Sequence, residues 1–291
     1  MSIALYAATL IAAAAMAPED KAALVVVSGL PAPPGAGGVI VREWDRDAPR
    51  PEGALVFVDQ EGGGVRAFPD APPEPPPSAY ETADEALAAG RATGEALRRE
   101  GVHGDFAPVI DLADGPLGSR HFRRPELAVA FARGLGDAGV VACAKHFPGL
   151  GSTPVSTDDR PQVPGRVREH EVEAFRAAIE AGVPCVMTSN AFYDGARFRA
   201  SISPETYELL RELGFRGVAI TDSLSIVREA PVERWSRQAL RAGADLVLYT
   251  SPEHARRAVA ALVPLAEAGE LDAAVTRVLL LRARLRAARG P

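Results

Sequence analysis

The chain has 291 residues, 47% of them apolar and 24% charged, which suits one large globular domain of the size an α/β barrel needs. A net charge of −6 leaves no basic face for nucleic acid or for an anionic membrane surface. Two cysteines, Cys143 and Cys185, each lie inside an apolar run; they are too few for a disulfide framework and are expected as buried core thiols.

Ile3 to Met16 is an apolar run of signal-peptide length, and Ala15-Met16-Ala17 resembles a small-residue cleavage site, although no Lys or Arg precedes it. Two readings stand. Residues 1–17 form an export signal, the favoured reading, which places the protein outside the cytoplasm; or they form an apolar helix packed under residues 18–291. The run is too short to cross a bilayer and no other segment could, so an integral membrane span is not expected.

Eight β-like runs follow: Leu24–Leu30, Gly38–Val41, Ala54–Asp59, Asp105–Leu112, Val140–Phe147, Pro184–Asn190, Gly217–Asp222 and Ala244–Thr250. Most are continuous Val, Ile, Leu and Ala, the pattern of strands covered on both faces. Helix-like segments lie between the later runs, at Asp84–Glu100, Pro125–Ala138, Arg168–Ala181, Pro204–Leu213 and Val232–Ala242. Gly101, Gly139, Gly182, Gly214 and Gly243 stand at their ends, where a left-handed cap is wanted. Repeated strand–helix–glycine units imply a parallel sheet, and eight strands imply closure into a TIM-like (β/α)8 barrel of the α/β class.

Only Pro31–Gly37 separates the first two runs, too few residues for a crossover helix, so the second strand is expected antiparallel or the barrel irregular there. Ala71–Ser78 is Pro-rich and reads as a stiff surface loop. Pro252–Ala266 and Leu271–Ala288 read as closing helices; Arg277, Arg282, Arg284, Arg286 and Arg289 are expected on a solvated face.

Polar residues gather where these strands end: Asp59, Asp111, Lys145 with His146, Asn190 and Asp222. In a barrel of this kind those ends form the active face. No zinc-type spacing and no dinucleotide glycine fingerprint occurs, so neither a metal nor another cofactor is expected. The triple glycine Gly62-Gly63-Gly64 suits a backbone approaching a ligand closely. Carboxylates, a Lys-His pair and no metal point to acid/base or nucleophilic work on a polar, neutral molecule, such as a small saccharide.

Four motifs occur in order: Val58-Asp59-Gln60-Glu61-Gly62-Gly63, Asp105-Phe106-Ala107-Pro108-Val109-Ile110-Asp111, Lys145-His146-Phe147-Pro148-Gly149 and Ile220-Thr221-Asp222-Ser223-Leu224-Ser225. Together they resemble glycoside hydrolase family 3, and within it the single-domain bacterial β-N-acetylhexosaminidases. The resemblance implies a retaining hydrolase with Asp222 as nucleophile, and Asp59, Arg120, Lys145 and His146 binding sugar hydroxyls. Asn190 stands where the family commonly has His, and Ala67 where it has an arginine, with Arg66 one position earlier.

The acid/base is the largest departure. Relatives carry an Asp-Ser-His dyad on the loop after Lys-His-Phe-Pro-Gly, and here Ser156-Thr157-Asp158 takes its place. Either Asp158 (with Asp159 as the alternative) serves as the acid/base, restoring a two-carboxylate site, or the protein is a saccharide-binding barrel without catalysis. The first reading is preferred, with hydrolysis expected over transfer to phosphate, because an anionic Asp158 repels that anion.

Overall fold

The computed structural model describes residues 3–112, 115–226 and 230–289. Its strands are β1 (Val26–Ser28), β2 (Gly38–Val41), β3 (Leu55–Val58), β4 (Gln60–Gly62), β5 (Val65–Arg66) and β6 (Gly104–Asp105). They continue with β7 (Val141–Phe147), β8 (Pro164–Gly165), β9 (Cys185–Thr188), β10 (Phe192–Tyr193), β11 (Val218–Thr221) and β12 (Val247–Tyr249). The helices are α1 (Ile3–Ala14), α2 (Pro18–Leu24), α3 (Ala83–Arg99), α4 (Pro125–Asp137) and α5 (Glu169–Glu180). After them come α6 (Pro204–Glu212), α7 (Val232–Ala242), α8 (Pro252–Glu267) and α9 (Asp272–Arg289).

Eight strands pair in the order β11-β9-β7-β6-β3-β2-β1-β12, and every pairing between them is parallel. A parallel bridge from Ile220 to Leu246 brings the two ends together. Backbone hydrogen bonds from Leu246 N to Ala219 O and from Thr221 N to Leu246 O, both 3.1 Å, complete the seam. The fold is the expected α/β TIM-like barrel. Each expected run contains or overlaps its strand, because Val- and Ile-rich segments buried on both faces have no other stable place in this architecture.

The second strand is a correction. β2 pairs parallel with both β1 and β3, through Val27↔Gly38 and Gly38↔Leu55. Residues 31–37 reach back without a helix, since seven extended residues span roughly 23 Å and β1 is short. They return close beneath the sheet: a methyl placed on Gly37 would lie 1.8 Å from Leu24 O.

Helices cover the outside of the barrel. α3 and α4 pack unusually closely, because Gly90 and Gly134 present bare backbone to each other: a methyl on Gly90 would meet Phe131 O at 2.2 Å, and one on Gly134 would meet Leu87 O at 2.3 Å. The glycines expected to cap helices all have positive φ, from 72° at Gly101 to 124° at Gly243, a region that an L side chain rarely adopts. The signal-like run folds as α1, which lies against α9 with Ala13 buried. Among the described residues no helix is long and apolar enough to cross a membrane.

Three further expectations change. Cys143 and Cys185 are buried, but as register partners on β7 and β9 they are joined in a disulfide. Arg277 and Arg282 are not on a solvated face. Arg277 Nε donates to the buried Asp245 at 2.6 Å, and Arg282 donates to Gly53 O and Gly37 O, so both side chains stitch the barrel's lower rim. Arg284 and Arg286 are exposed as expected, and the side chain of Arg289 lies outside the described residues. Gly62 and Gly63 approach the Pro-rich loop rather than an open ligand space, since a methyl on Gly62, which has φ 107°, would meet Pro75 O at 2.5 Å; one on Gly64 would meet nothing within 4 Å.

Candidate active site

The strand direction places one set of loops at the C-terminal mouth of the barrel, and the polar residues stand there. Asp59 follows β3, Lys145 and His146 close β7, Asn190 lies just beyond β9, and Asp222 directly follows β11.

Around Lys145 is a buried charge cluster. Its ammonium lies 2.6 Å from Asp59 Oδ1 and 2.6 Å from Glu61 Oε1. Arg120 Nε and Nη2 grip both oxygens of Glu61 at 2.8 Å, a two-point match between planar groups. Burial alone would push the Glu61 carboxyl up, but Lys145 and Arg120 outweigh it and hold the group at about 2. Burial likewise opposes the charge on Lys145, and Asp59 and Glu61 overcome it, so its pKa is raised. Asp59 is partly exposed, leaving an edge of the cluster open to the mouth.

Glu61 joins Arg120 to Lys145, which in turn holds Asp59, and the sequence reading did not single it out. The available signal was a glutamate beside a strand-end Asp, in a chain where Lys145 and Arg120 both need an anion. Asp105 was also missed. Fully buried below the cluster, it accepts from Gln60 N at 2.9 Å while its second oxygen has no partner; burial pushes its carboxyl up to about 8. Arg66 stays in its own hairpin, donating to Gly63 O and Pro69 O.

His146 is fixed by Asp111. Nδ1 of the imidazole lies 2.7 Å from Asp111 Oδ2, while Asp111 Oδ1 accepts from Leu150 N at 2.7 Å. One carboxylate thus orients the ring and anchors the start of the loop after Phe147.

Asp222 accepts from Ser223 N through Oδ1 at 2.6 Å, and its own N donates to Thr188 O at 2.9 Å. Burial raises its pKa; the charge of Asp158 adds to this, and His146 and Lys145 oppose it. Asn190 is 1% exposed, with Nδ2 donating to Ser223 O at 2.8 Å and Oδ1 accepting from Ser201 Oγ at 2.7 Å. Its amide is therefore occupied in holding the Asp222–Ser223 turn.

The loop between β7 and α5 carries Asp158, which is exposed and accepts from Ser156 Oγ at 3.4 Å. The loop leaves the C-terminal end of β7, and the charge of Asp158 is felt by both Asp222 and Arg120. Asp159 is exposed beside it. The loop is tied down by Glu171, whose Oε1 accepts from Gly151 N at 2.7 Å, by Tyr193 OH donating to Gly149 O at 2.8 Å, and by Arg199 Nη2 donating to Pro161 O at 3.3 Å. Arg199 is itself buried, stacked 4.3 Å from the Trp235 ring centroid, with Nη1 unpartnered. Nothing in the sequence marked either Glu171 or Arg199, because both act across long separations. Among the described residues no cluster of three or more His, Cys, Asp or Glu is placed to hold a metal ion.

Known proteins resemble this chain along most of its length. The family profile described as "Glycosyl hydrolase family 3 N terminal domain" matches residues 40–281. A β-hexosaminidase of Stenotrophomonas maltophilia is 35% identical over 233 residues, covering 71% of this chain and 69% of the relative. A solved family 3 β-N-acetylglucosaminidase from a Paenibacillus species superposes with TM-score 0.83 at 27% identity, covering 95% of this chain but only 64% of that one. A family 3 glycosyl hydrolase from Mycobacterium smegmatis superposes with TM-score 0.81 at 28% identity, covering 92% and 98%. Profile, sequence and fold agree, and the profile spans the strands whose ends carry Asp59, Lys145 and Asp222: the chain belongs to glycosyl hydrolase family 3, glycosidases that act on O-glycosyl bonds.

Proposed function

We propose that residues 18–291 form a single barrel domain that hydrolyses β-N-acetylhexosaminides with retention of configuration, acting on N-acetylglucosamine-containing glycosides of the cell-wall type. The convergence of Asp222, the Asp59–Lys145–Glu61–Arg120 cluster and the Asp158 loop on one mouth carries this reading. The substrate class rests on the β-hexosaminidase and β-N-acetylglucosaminidase names of the similar proteins.

In this mechanism Asp222, ionised, attacks the anomeric carbon while Asp158 gives its proton to the departing glycosidic oxygen. The bond to the leaving sugar breaks and a glycosyl ester on Asp222 forms. Having given up its proton, the Asp158 carboxylate is left as the base that the second step requires. It then takes a proton from water, whose oxygen attacks the anomeric carbon and releases Asp222. Lys145, Asp59, Arg120 and His146 hold sugar hydroxyls, with Glu61 and Asp111 fixing the cations and the imidazole in place. Asn190 serves by steadying the nucleophile's turn. Phosphate is a poor acceptor here, because Asp158 repels it.

Asp222→Ala tests the reading. Turnover of an aryl β-N-acetylglucosaminide should fall to background while the melting temperature stays within a few degrees of the parent. Parent-level activity in the variant would remove Asp222 from the mechanism. An inactive parent whose melting temperature rises with N-acetylglucosamine would instead support a binding protein.

A further inference from the structure

The mouth of the barrel carries one feature that the reaction at Asp222 does not use. Trp44 is 77% exposed, and it is the one aromatic side chain in that state among the described residues. Exposing an indole to water is unfavourable by roughly 25 cal/mol per Å² of apolar surface, so a ligand that covers the Trp44 ring gains from doing so.

Its place is set by the fold. β2 ends at Val41, and the next residues form a short 3-10 turn, Glu43–Asp45, on the same face as the ends of the other barrel strands. β2 lies between β1 and β3, and β3 leads to Asp59. On the other side the contacts run back to the nucleophile. A methyl on Gly29 would lie 3.5 Å from Arg42 Nη2 and 2.1 Å from Thr250 O, and Thr250 Oγ1 is 3.1 Å from Ser223 Oγ, next to Asp222. Trp44 therefore stands at the C-terminal mouth of the barrel, on the loop after the strand beside the one that leads to Asp59.

The ring is also prepared. The Arg42 guanidinium covers it at 4.8 Å from the centroid, and Arg42 is itself held by Asp45 through Nε at 3.1 Å and Nη2 at 2.8 Å. One face is thus backed by a fixed cation and the other faces solvent. A ring fixed in advance loses little freedom when something stacks on it. A flat, electron-rich face suits the axial C–H face of a pyranose, whose edges keep their hydroxyls in water.

We propose that Trp44 is a stacking platform for a sugar ring beyond the cleaved bond, which makes the protein prefer oligosaccharides over single-sugar glycosides. The inference rests on the glycosidase reading above, but its test separates the two. Trp44→Ala and Trp44→Phe are compared with the parent on an aryl β-N-acetylglucosaminide and on the β-1,4-linked N-acetylglucosamine trimer. The ratio of kcat/KM for the trimer to that for the aryl glycoside should fall about tenfold in Trp44→Ala and stay near the parent value in Trp44→Phe. An unchanged ratio in Trp44→Ala overturns the platform.

Binding is measured independently of turnover by titrating Asp222→Ala, with and without Trp44→Ala, with the trimer while following tryptophan emission. Trp235 is buried, so a change that vanishes with Trp44 reports the platform. Such a change in a chain whose parent shows no turnover keeps the platform and removes the catalytic reading. No Trp44-dependent change removes the platform whatever the parent does.

Discussion

Lys145 is the residue on which the buried electrostatics turn. Its ammonium, 2% exposed, is shared by Asp59 and by a Glu61 that has no exposure to speak of. Removing one partner of such a group leaves the other charge in a low dielectric, at a cost of about 3 kcal/mol or more. Lys145→Met should therefore lower stability by about that amount in urea titration, although Arg120 still neutralises Glu61 in part. A loss below about 0.5 kcal/mol would mean that the cluster is solvated. Asp158 differs in kind: it is exposed, so its replacement should leave stability alone and act on chemistry. If it is the acid, Asp158→Ala should slow aryl glycosides with poor leaving groups by about 100-fold or more, while a dinitrophenyl glycoside, which needs no proton to depart, loses far less in its first step. Equal losses on both would transfer the role elsewhere, with Asp159 the first alternative.

At the scale of elements, the strands and helices were legible because each is written in a local code: apolar runs for buried strands, an apolar stripe for helices, a glycine where the chain must turn left-handed. The direction of β2 was not, since the absence of a crossover helix looks the same whether the chain reverses or returns beneath itself. The same limit hid Cys143–Cys185. The two residues are 42 apart in the chain, and only the pairing of β7 with β9 makes them neighbours. A link closing a loop of that length removes enough unfolded-state freedom to contribute about 4 kcal/mol. The Cys143→Ala, Cys185→Ala double variant should melt roughly 8 °C lower, taking about 2 °C per kcal/mol for a chain of this size. Alkylation of the unfolded, unreduced parent provides the direct check: two labelled thiols would show that the bond is absent and the difference in melting has another origin.

At the scale of the whole molecule, three buried carboxyls missed at the level of sequence decide how stability follows pH. Their surroundings are built by segments distant in the chain, and so little near them in sequence announces the environment. Asp105 is pushed by burial from an ordinary 3.8 to about 8, and Glu171, chiefly by burial, from 4.5 to about 7. Each folded-state group keeps its proton where the unfolded chain has released it. Between the two values the folded protein binds more protons, so stability declines as pH rises, by up to about 1.4 kcal/mol per pH unit for each group. Glu61 works the other way. Lys145 and Arg120 hold it at about 2 against burial, so it adds stability above pH 4.5 that is lost as pH falls toward 2. The melting temperature should peak near pH 4 and fall toward pH 8. Asp105→Asn still accepts from Gln60 N and cannot ionise, so it should flatten the fall up to about pH 8; Glu171→Gln should flatten it up to about pH 7. Curves for either variant that run parallel to the parent from pH 5 to 8 would mean that the carboxyl concerned ionises in the folded protein as it does in water, and that the barrel interior is wetter than its packing implies.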